Sequence, residues 1–401
     1  MKAARMPVYL DHASTTPVDS RVAASMAEIL NSETQFGNPA SASHDYGDVA
    51  HALVEKARSQ VAAAVGAASS ELVWTSGATE ANNLAIFGAA QYYRERGRHI
   101  VTSRTEHKAV LDPCRELERR GWQVTYLVPD REGVLDPDQV AGALRQDTVL
   151  VSIMHVNNEI GVVQNIGALG AICARHGGAW LHVDAAQSLG KCPIDFASLG
   201  VDLMSLSGHK VYGPKGVGAL LRSARVQLAP LQFGGGQERA LRAGTLATHQ
   251  VVGMGLAFEL ASSISSTETV RIAQLQQRLW QGLASIGGVL RNGSVSHSVP
   301  HVLNVSFEGV EGESLLAAVR PYLAVSTGSA CNSALAEPSY VLRALGRSER
   351  LSESSLRFGL GRTTTMSDID TAVAVLSREV GRLRDIAGAR PGKVPVAAPG
   401  A

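Results

Sequence analysis

The sequence predicts an α/β protein with a large domain on a mostly parallel sheet, followed by a smaller α+β domain. Three observations carry that expectation. From about residue 70 to 221, short β-branched or aliphatic runs alternate with helix-like segments, the pattern of parallel strands covered by helices. Beyond about residue 262 the strands and helices become fewer and mixed. At 401 residues the chain is also longer than one ordinary core supports.

Taken in order, the strands of the large domain are expected in "ELVWTS" from Glu71, "HIVTS" from His99, "VTYLV" from Val124, "TVLVSIM" from Thr148, "AWLHVDA" from Ala179, "DLMSLS" from Asp202 and "GVGALLR" from Gly216. A helix is expected to begin near Ala78 or Thr79. The stretch 267–288 reads as an amphipathic helix with Ile272, Leu275, Leu279 and Leu283 on one side, and opens the second domain. There, "HVLNVSF" and "SLRFGLG" read as strands and "EGESLLAAVRPY" as a helix. "MSDIDTAVAVLSREVGRLRDI" reads as a final helix capped by Ser367 or Asp368. The end, "GARPGKVPVAAPGA", has no periodicity and reads as a disordered tail.

A formal net charge of +1 gives no electrostatic reason for nucleic acid or an anionic membrane as a partner. No window approaches the ~18 apolar residues that cross a bilayer, and no apolar region follows the basic N-terminus, so a cytoplasmic location is expected. Cys114, Cys173, Cys192 and Cys331 match neither a disulfide scaffold nor a CxxC metal site, and are expected to be reduced. Cys331 stands out. It lies in "STGSACNSALAE", where nothing large is available to bury a thiol.

Polar residues cluster at or just beyond the strand ends, where open α/β sheets bind ligands. Lys210 follows a strand in a turn of Ser, Gly and His; it is either a solvated surface lysine or an amine able to form a Schiff base with an aldehyde cofactor. Asp184 ends a strand, either as a helix cap or as a partner for a pyridinium nitrogen. "TSGATEANN" sets Ala78 and Thr79 at a helix start, either an ordinary cap or an anion cradle. His107 is a core histidine or a support for a flat ring. Asn158 and Thr245 add polar groups in "VNNEIG" and "RAGTL". Together they supply what a pyridoxal phosphate site needs: Schiff-base lysine, electron-sink partner, phosphate cradle and ring support.

The wording of these segments goes further. "YLDHASTTPVD", "FGNPAS", "TSGATEANNLAI", "TEHKAVLD", "HVNNEIGVVQ", "HVDAAQSLGK", "SGHKVYGPKG", "RAGTL", "EPSYVLRALG" and "SLRFGLGR" resemble, in order, the cysteine desulfurases of the class V aminotransferase group, from Tyr9 to about Arg384. The resemblance implies the fold type I of pyridoxal phosphate-dependent transferases. It implies a seven-stranded, mostly parallel sheet in a large domain over 16–262, and a small domain over 263–387 with segment 1–15 packed on it. A catalytic loop at about 324–337 and a tail over 388–401 complete the chain.

The resemblance also implies roles. Lys210 would hold the cofactor and take the substrate Cα proton. Asp184 would pair with the ring nitrogen, Gln187 would reach the ring hydroxyl, His107 would stack and relay protons, and Asn158 would contact cofactor or substrate. Ala78, Thr79, Ser207, His209 and Thr245 would hold the phosphate, Thr245 from the other subunit of a homodimer. Arg357 would clamp the carboxylate of L-cysteine, assisted by Asn38. Cys331 would take the sulfur as a persulfide from a mobile loop of the long type, leaving alanine. The implied acceptor is a protein such as an iron–sulfur scaffold or a tRNA-thiolation relay; with a scaffold, Cys331 could transiently ligate a cluster, and no resident metal is expected. A selenocysteine lyase or related β-eliminating enzyme, or a non-catalytic sulfur-carrier or regulatory protein on the same fold, are the alternatives. The tail "RPGKVPVAAPGA" lacks the aromatic and histidine residues with which family members dock scaffolds.

Overall fold

The computed structural model describes residues 6–327 and 338–388. The chain divides into two compact units: the larger comprises Thr15–Asn158 and Val162–Thr267, the smaller the chain up to Ser14, Glu159–Gly161 and the chain from Glu268 onward.

Strand β1 (Val8–Tyr9) belongs to the smaller unit. The larger unit holds the next seven strands: β2 (Leu72–Thr75), β3 (His99–Ser103), β4 (Gln123–Leu127), β5 (Thr148–Ser152), β6 (Trp180–Asp184), β7 (Leu203–Ser207) and β8 (Gly218–Arg222). They form one sheet in the order β2-β8-β7-β6-β5-β3-β4. Only β8 runs against its neighbours. All seven expected strands are therefore present, in the mostly parallel sheet expected.

Helices cover both faces of such a sheet, so its inner strands read as continuous apolar runs. Strands β2, β3, β5 and β7 are buried at every residue. One core packs Val101, Val151, Leu181, Val183 and Met204 with Phe258; another packs Ile86, Ile100, Leu150, Leu203 and Leu220.

The smaller unit contains β9 (Val289–Asn292), β10 (Val302–Phe307), β11 (Leu323–Ala324) and β12 (Ser355–Gly359). Strands β12, β10 and β9 form an antiparallel sheet in that order, while β1 and β11 form a two-stranded parallel pair. Ile272, Leu275, Leu279 and Leu283 are buried in its core with Phe307, Phe358 and Leu376, as the helical spacing predicts.

Two helix boundaries differ from expectation. The helix expected from residue 267 starts at Thr248 and runs to Ala284. Gly253 and Gly255 weaken its early pattern, yet they serve packing: a Cβ on Gly255 would lie 2.8 Å from Ala57 Cα. The final helix, Met366–Ala387, is capped by Thr365 rather than Ser367 or Asp368. Thr365 Oγ1 accepts the Asp368 N–H at 3.2 Å while Asp368 Oδ2 accepts the Thr365 N–H at 2.9 Å, a reciprocal capping box. Of the tail expected over 388–401, Gly388 caps the final helix and the rest lies outside the described residues.

Candidate active site

In the larger unit, β2 and β7 both pair antiparallel with β8, so they run the same way. Their last residues, Thr75 and Ser207, both lie opposite Gly218. A Cβ on Gly218 would stand 2.6 Å from Gly77 Cα. Only glycine there lets the start of the helix Ala78–Tyr93 close on the end of β7. Gly77, at φ 154°, precedes that helix, which has no side-chain cap, and open space surrounds the position where a Gly77 Cβ would stand. The helix therefore begins at Ala78 and Thr79 with uncapped N–H groups beside the Ser207 end of β7, a geometry that fits a phosphate.

Lys210 ends the short turn Gly208–Lys210 that follows β7 directly. The turn is held closely: the Gly208 N–H donates to Val217 O at 3.1 Å and the Gly213 N–H to Gly208 O at 3.0 Å. Thr16 Oγ1 donates to His209 O at 3.0 Å and accepts the Tyr212 N–H at 2.8 Å. His209 Nδ1 lies 3.1 Å from Thr15 Oγ1. Burial first, and then the charges of Lys210, Lys215 and Lys191, push the His209 imidazole down to about 4. Near neutral pH it is an uncharged hydrogen-bonding group.

Asp184, the last residue of β6, is 6% exposed. Its Oδ1 accepts the Ala186 N–H at 3.0 Å and its Oδ2 accepts Asn82 Nδ2 at 2.7 Å. Below it on β6, His182 lies in a buried chain, with Nδ1 2.8 Å from Ser152 Oγ and Nε2 3.0 Å from Ser205 Oγ. Gln187 accepts from Lys191 Nζ.

His107 caps the helix Lys108–Arg119, its Nδ1 accepting the Ala109 N–H at 3.1 Å. That bond puts the proton of the neutral ring on Nε2. The preceding Glu106 is wholly buried, and its Oε1 accepts the Met154 N–H at 2.8 Å. Burial, reinforced by the charge of Asp184 and opposed by the Met154 bond, raises the Glu106 carboxyl well above the usual carboxylate range. Asn158 is half-buried beyond β5, beside buried Asn157, whose Nδ2 donates to Thr105 O at 2.9 Å.

The parallel sheet thus directs Ala78, Thr79, His107, Asn158, Asp184, Ser207, His209 and Lys210 to one edge. Asn38 and Thr245 lie together in the same unit. They line a cavity of about 250 Å³ with His51, Arg58 and Gln237, and none of the other expected site residues lines it. Beside that cavity Arg58 Nη2 and Nη1 donate to buried Glu238 at 2.7 and 2.9 Å, and Glu238 also accepts the Trp74 N–H at 2.7 Å.

In the smaller unit Arg357 lies mid-strand in β12, opposite Asn304, and is 4% exposed. Its Nη2 donates to Asp11 Oδ1 at 2.9 Å and to Ser14 Oγ at 2.5 Å. Its backbone N–H donates to Ser326 O at 2.7 Å. Ser339 caps the helix Tyr340–Ala344, accepting the Leu342 N–H at 3.1 Å and donating to Glu159. Burial pushes the Glu159 carboxyl up to about 7, against the opposing effects of the Ser339 hydroxyl and the Arg357 charge. Cys331 lies outside the described residues. Cys114, Cys173 and Cys192 are free, and burial pushes each thiol up to about 12. Among the described residues no cluster of three His, Cys, Asp or Glu side chains suits a metal ion, and no described helix is long and apolar enough to cross a membrane.

Sequence reasoning missed Asn82, Glu106, Glu159, Asp11 and Ser14. Asn82 carried a signal: it lies three residues beyond Thr79, one helical turn along the same face.

The class-V aminotransferase family model matches residues 8–372. Cysteine desulfurase IscS of Pectobacterium atrosepticum is 55% identical over 384 residues, 95% of this chain and 95% of its own. Among solved structures, a NifS-like protein is 34% identical with a TM-score of 0.88, covering 94% of this chain and 100% of that one. SspA, solved in complex with cysteine, is 39% identical with a TM-score of 0.78, covering 88% of this chain and 98% of that one.

Proposed function

The chain belongs to the cysteine desulfurases of the class-V aminotransferase family, pyridoxal phosphate-dependent enzymes, and on that footing we propose how its residues divide the work. Ala78, Thr79, Ser207 and His209 would hold the cofactor phosphate, with Thr245 of a second subunit completing the cradle. Asp184 would receive the ring nitrogen, Gln187 would reach the ring hydroxyl, His107 would support the ring, and Asn158 would contact cofactor or substrate. When bound, pyridoxal phosphate supplies an electron sink for charge developing on the substrate. The uncapped helix start beside Ser207 and the buried Asp184 carboxylate support this fit.

Lys210 Nζ would hold the cofactor through its aldehyde and would take the substrate Cα proton. Arg357 grips the carboxylate of L-cysteine through its planar fork, assisted by Asn38. The Cys331 thiolate then attacks the substrate sulfur: an S–S bond forms and the substrate C–S bond breaks. Its electron pair passes to carbon, which is protonated and released as alanine. Sulfur stays on Cys331 for delivery, in the cytoplasm, to a protein acceptor such as an iron–sulfur scaffold or a tRNA-thiolation relay.

The observation that carries the choice of Cys331 is the setting of its competitors: Cys114 and Cys173 are buried and Cys192 is half-buried. With their thiols pushed up to about 12, Cys114, Cys173 and Cys192 are almost wholly protonated at neutral pH and make poor nucleophiles. In the Cys331→Ala variant, alanine formation from L-cysteine is expected to fall at least ~100-fold while the visible band of the bound cofactor persists. Turnover at the unsubstituted rate would refute the assignment.

A further inference from the structure

Asn82 is a polar side chain with 0% exposure on a helix that otherwise buries Ala81, Leu84, Ala85 and Ile86. Such a group is costly unless it does something for its neighbours. Its Nδ2 lies 2.7 Å from Asp184 Oδ2, and the amide orientation follows from chemistry, because a carboxylate has no proton to give. The other end of the amide, Oδ1, is buried without a hydrogen-bond partner among the described residues. The helix thus accepts an unsatisfied acceptor in order to aim one donor at Asp184.

The geometry has a second part. Asn82 is three residues from Thr79 and four from Ala78, so all three share one face of the first turns. The same rigid element offers N–H groups at its start and holds the Asp184 carboxylate one turn later. Of the four acceptor positions on Asp184, Asn82 and the Ala186 N–H occupy two, leaving room for a further donor.

We infer that Asn82 is a positioning residue: acting through Asp184, it sets the carboxylate in the orientation that receives the cofactor ring nitrogen, at a fixed distance from the phosphate cradle on its own helix. The inference rests on the cofactor reading above and adds a residue to it. It separates from a packing role through one contrast. Asp has the shape of Asn, so a packing role makes Asn82→Asp the mildest change. A positioning role makes it the worst, since it replaces a fixed neutral donor with a second carboxyl group that must share a proton with Asp184.

The test uses the full-length protein loaded with pyridoxal phosphate. Cofactor dissociation, the absorbance maximum of the bound cofactor and its pH titration are measured for the unsubstituted chain, Asn82→Ala and Asn82→Asp. Losing a hydrogen bond to a charged group is expected to loosen cofactor holding ~10-fold in Asn82→Ala. Asn82→Asp is expected to loosen it further and to move the pH titration of the absorbance. Retention and absorbance in Asn82→Asp equal to the unsubstituted protein would overturn the inference. Should that variant not fold by circular dichroism, unchanged retention and absorbance in Asn82→Ala would overturn it equally. Failure of the unsubstituted chain to bind pyridoxal phosphate would instead overturn the cofactor reading itself.

Discussion

The two units present their candidate site residues in opposite ways. In the larger unit the sheet is mostly parallel, so successive strands end at one edge: Asp184 and Ser207 are the last residues of their strands, and Asn158 and Lys210 lie just beyond strand ends. In the smaller unit the sheet is antiparallel, and Arg357 stands in the middle of β12, its guanidinium held by Asp11 and Ser14. A parallel sheet gathers chemistry at one edge by topology alone. An antiparallel sheet has no common edge, and a functional residue on it depends on partners supplied by distant sequence.

If that contrast reflects a division of labour, substitutions in the two units should damage different kinetic steps. The largest effect is expected for Lys210→Ala, which removes the proposed cofactor anchor and the proposed base: alanine formation falls by at least ~1,000-fold, measured by amino-acid analysis under saturating L-cysteine. Next comes Arg357→Lys, which keeps the charge and loses the planar fork. Its KM for L-cysteine is expected to rise ~10-fold with kcat within a few-fold of the unsubstituted value. A fall in kcat with unchanged KM would break the proposed division.

The smallest effect is one of stability. The Glu159 carboxyl is raised from 4.5 to about 7, so the folded chain holds that proton more tightly than the unfolded chain does. Its favourable contribution is full below pH ~4.5 and is lost as pH rises through about 7. Glu159→Gln, which stays neutral, should therefore gain in Tm relative to the unsubstituted chain between pH 5 and pH 8. Melting curves across that range check it; a difference independent of pH contradicts the shift.

The same contrast explains what could be read from sequence. Buried parallel strands appear as unbroken apolar runs, and a polar residue ending such a run, as Asp184 or Ser207 does, is visible from local pattern. The pairs Arg357 with Asp11 and Ser339 with Glu159 are not, because they join residues 346 and 180 positions apart. Nor do β1 and β11 announce themselves, at two residues each. The long helix from Thr248 was legible only from residue 267, since Gly253 and Gly255 lower helix propensity while serving close packing. At the final helix several hydroxyl and acidic residues compete for the cap, and the reciprocal bonds with Asp368 select Thr365. Asn82 was hidden differently: it sits inside a motif whose neighbouring residues already had a role to fill.

The central claim is that sulfur from L-cysteine passes to Cys331. The direct test is to incubate the full-length, cofactor-loaded protein with L-cysteine, quantify alanine, trap persulfides by alkylation and map them by peptide mass spectrometry. A persulfide on Cys331 accompanying alanine is expected. Alanine formed with the persulfide on Cys114, Cys173 or Cys192, or on no cysteine at all, would contradict it.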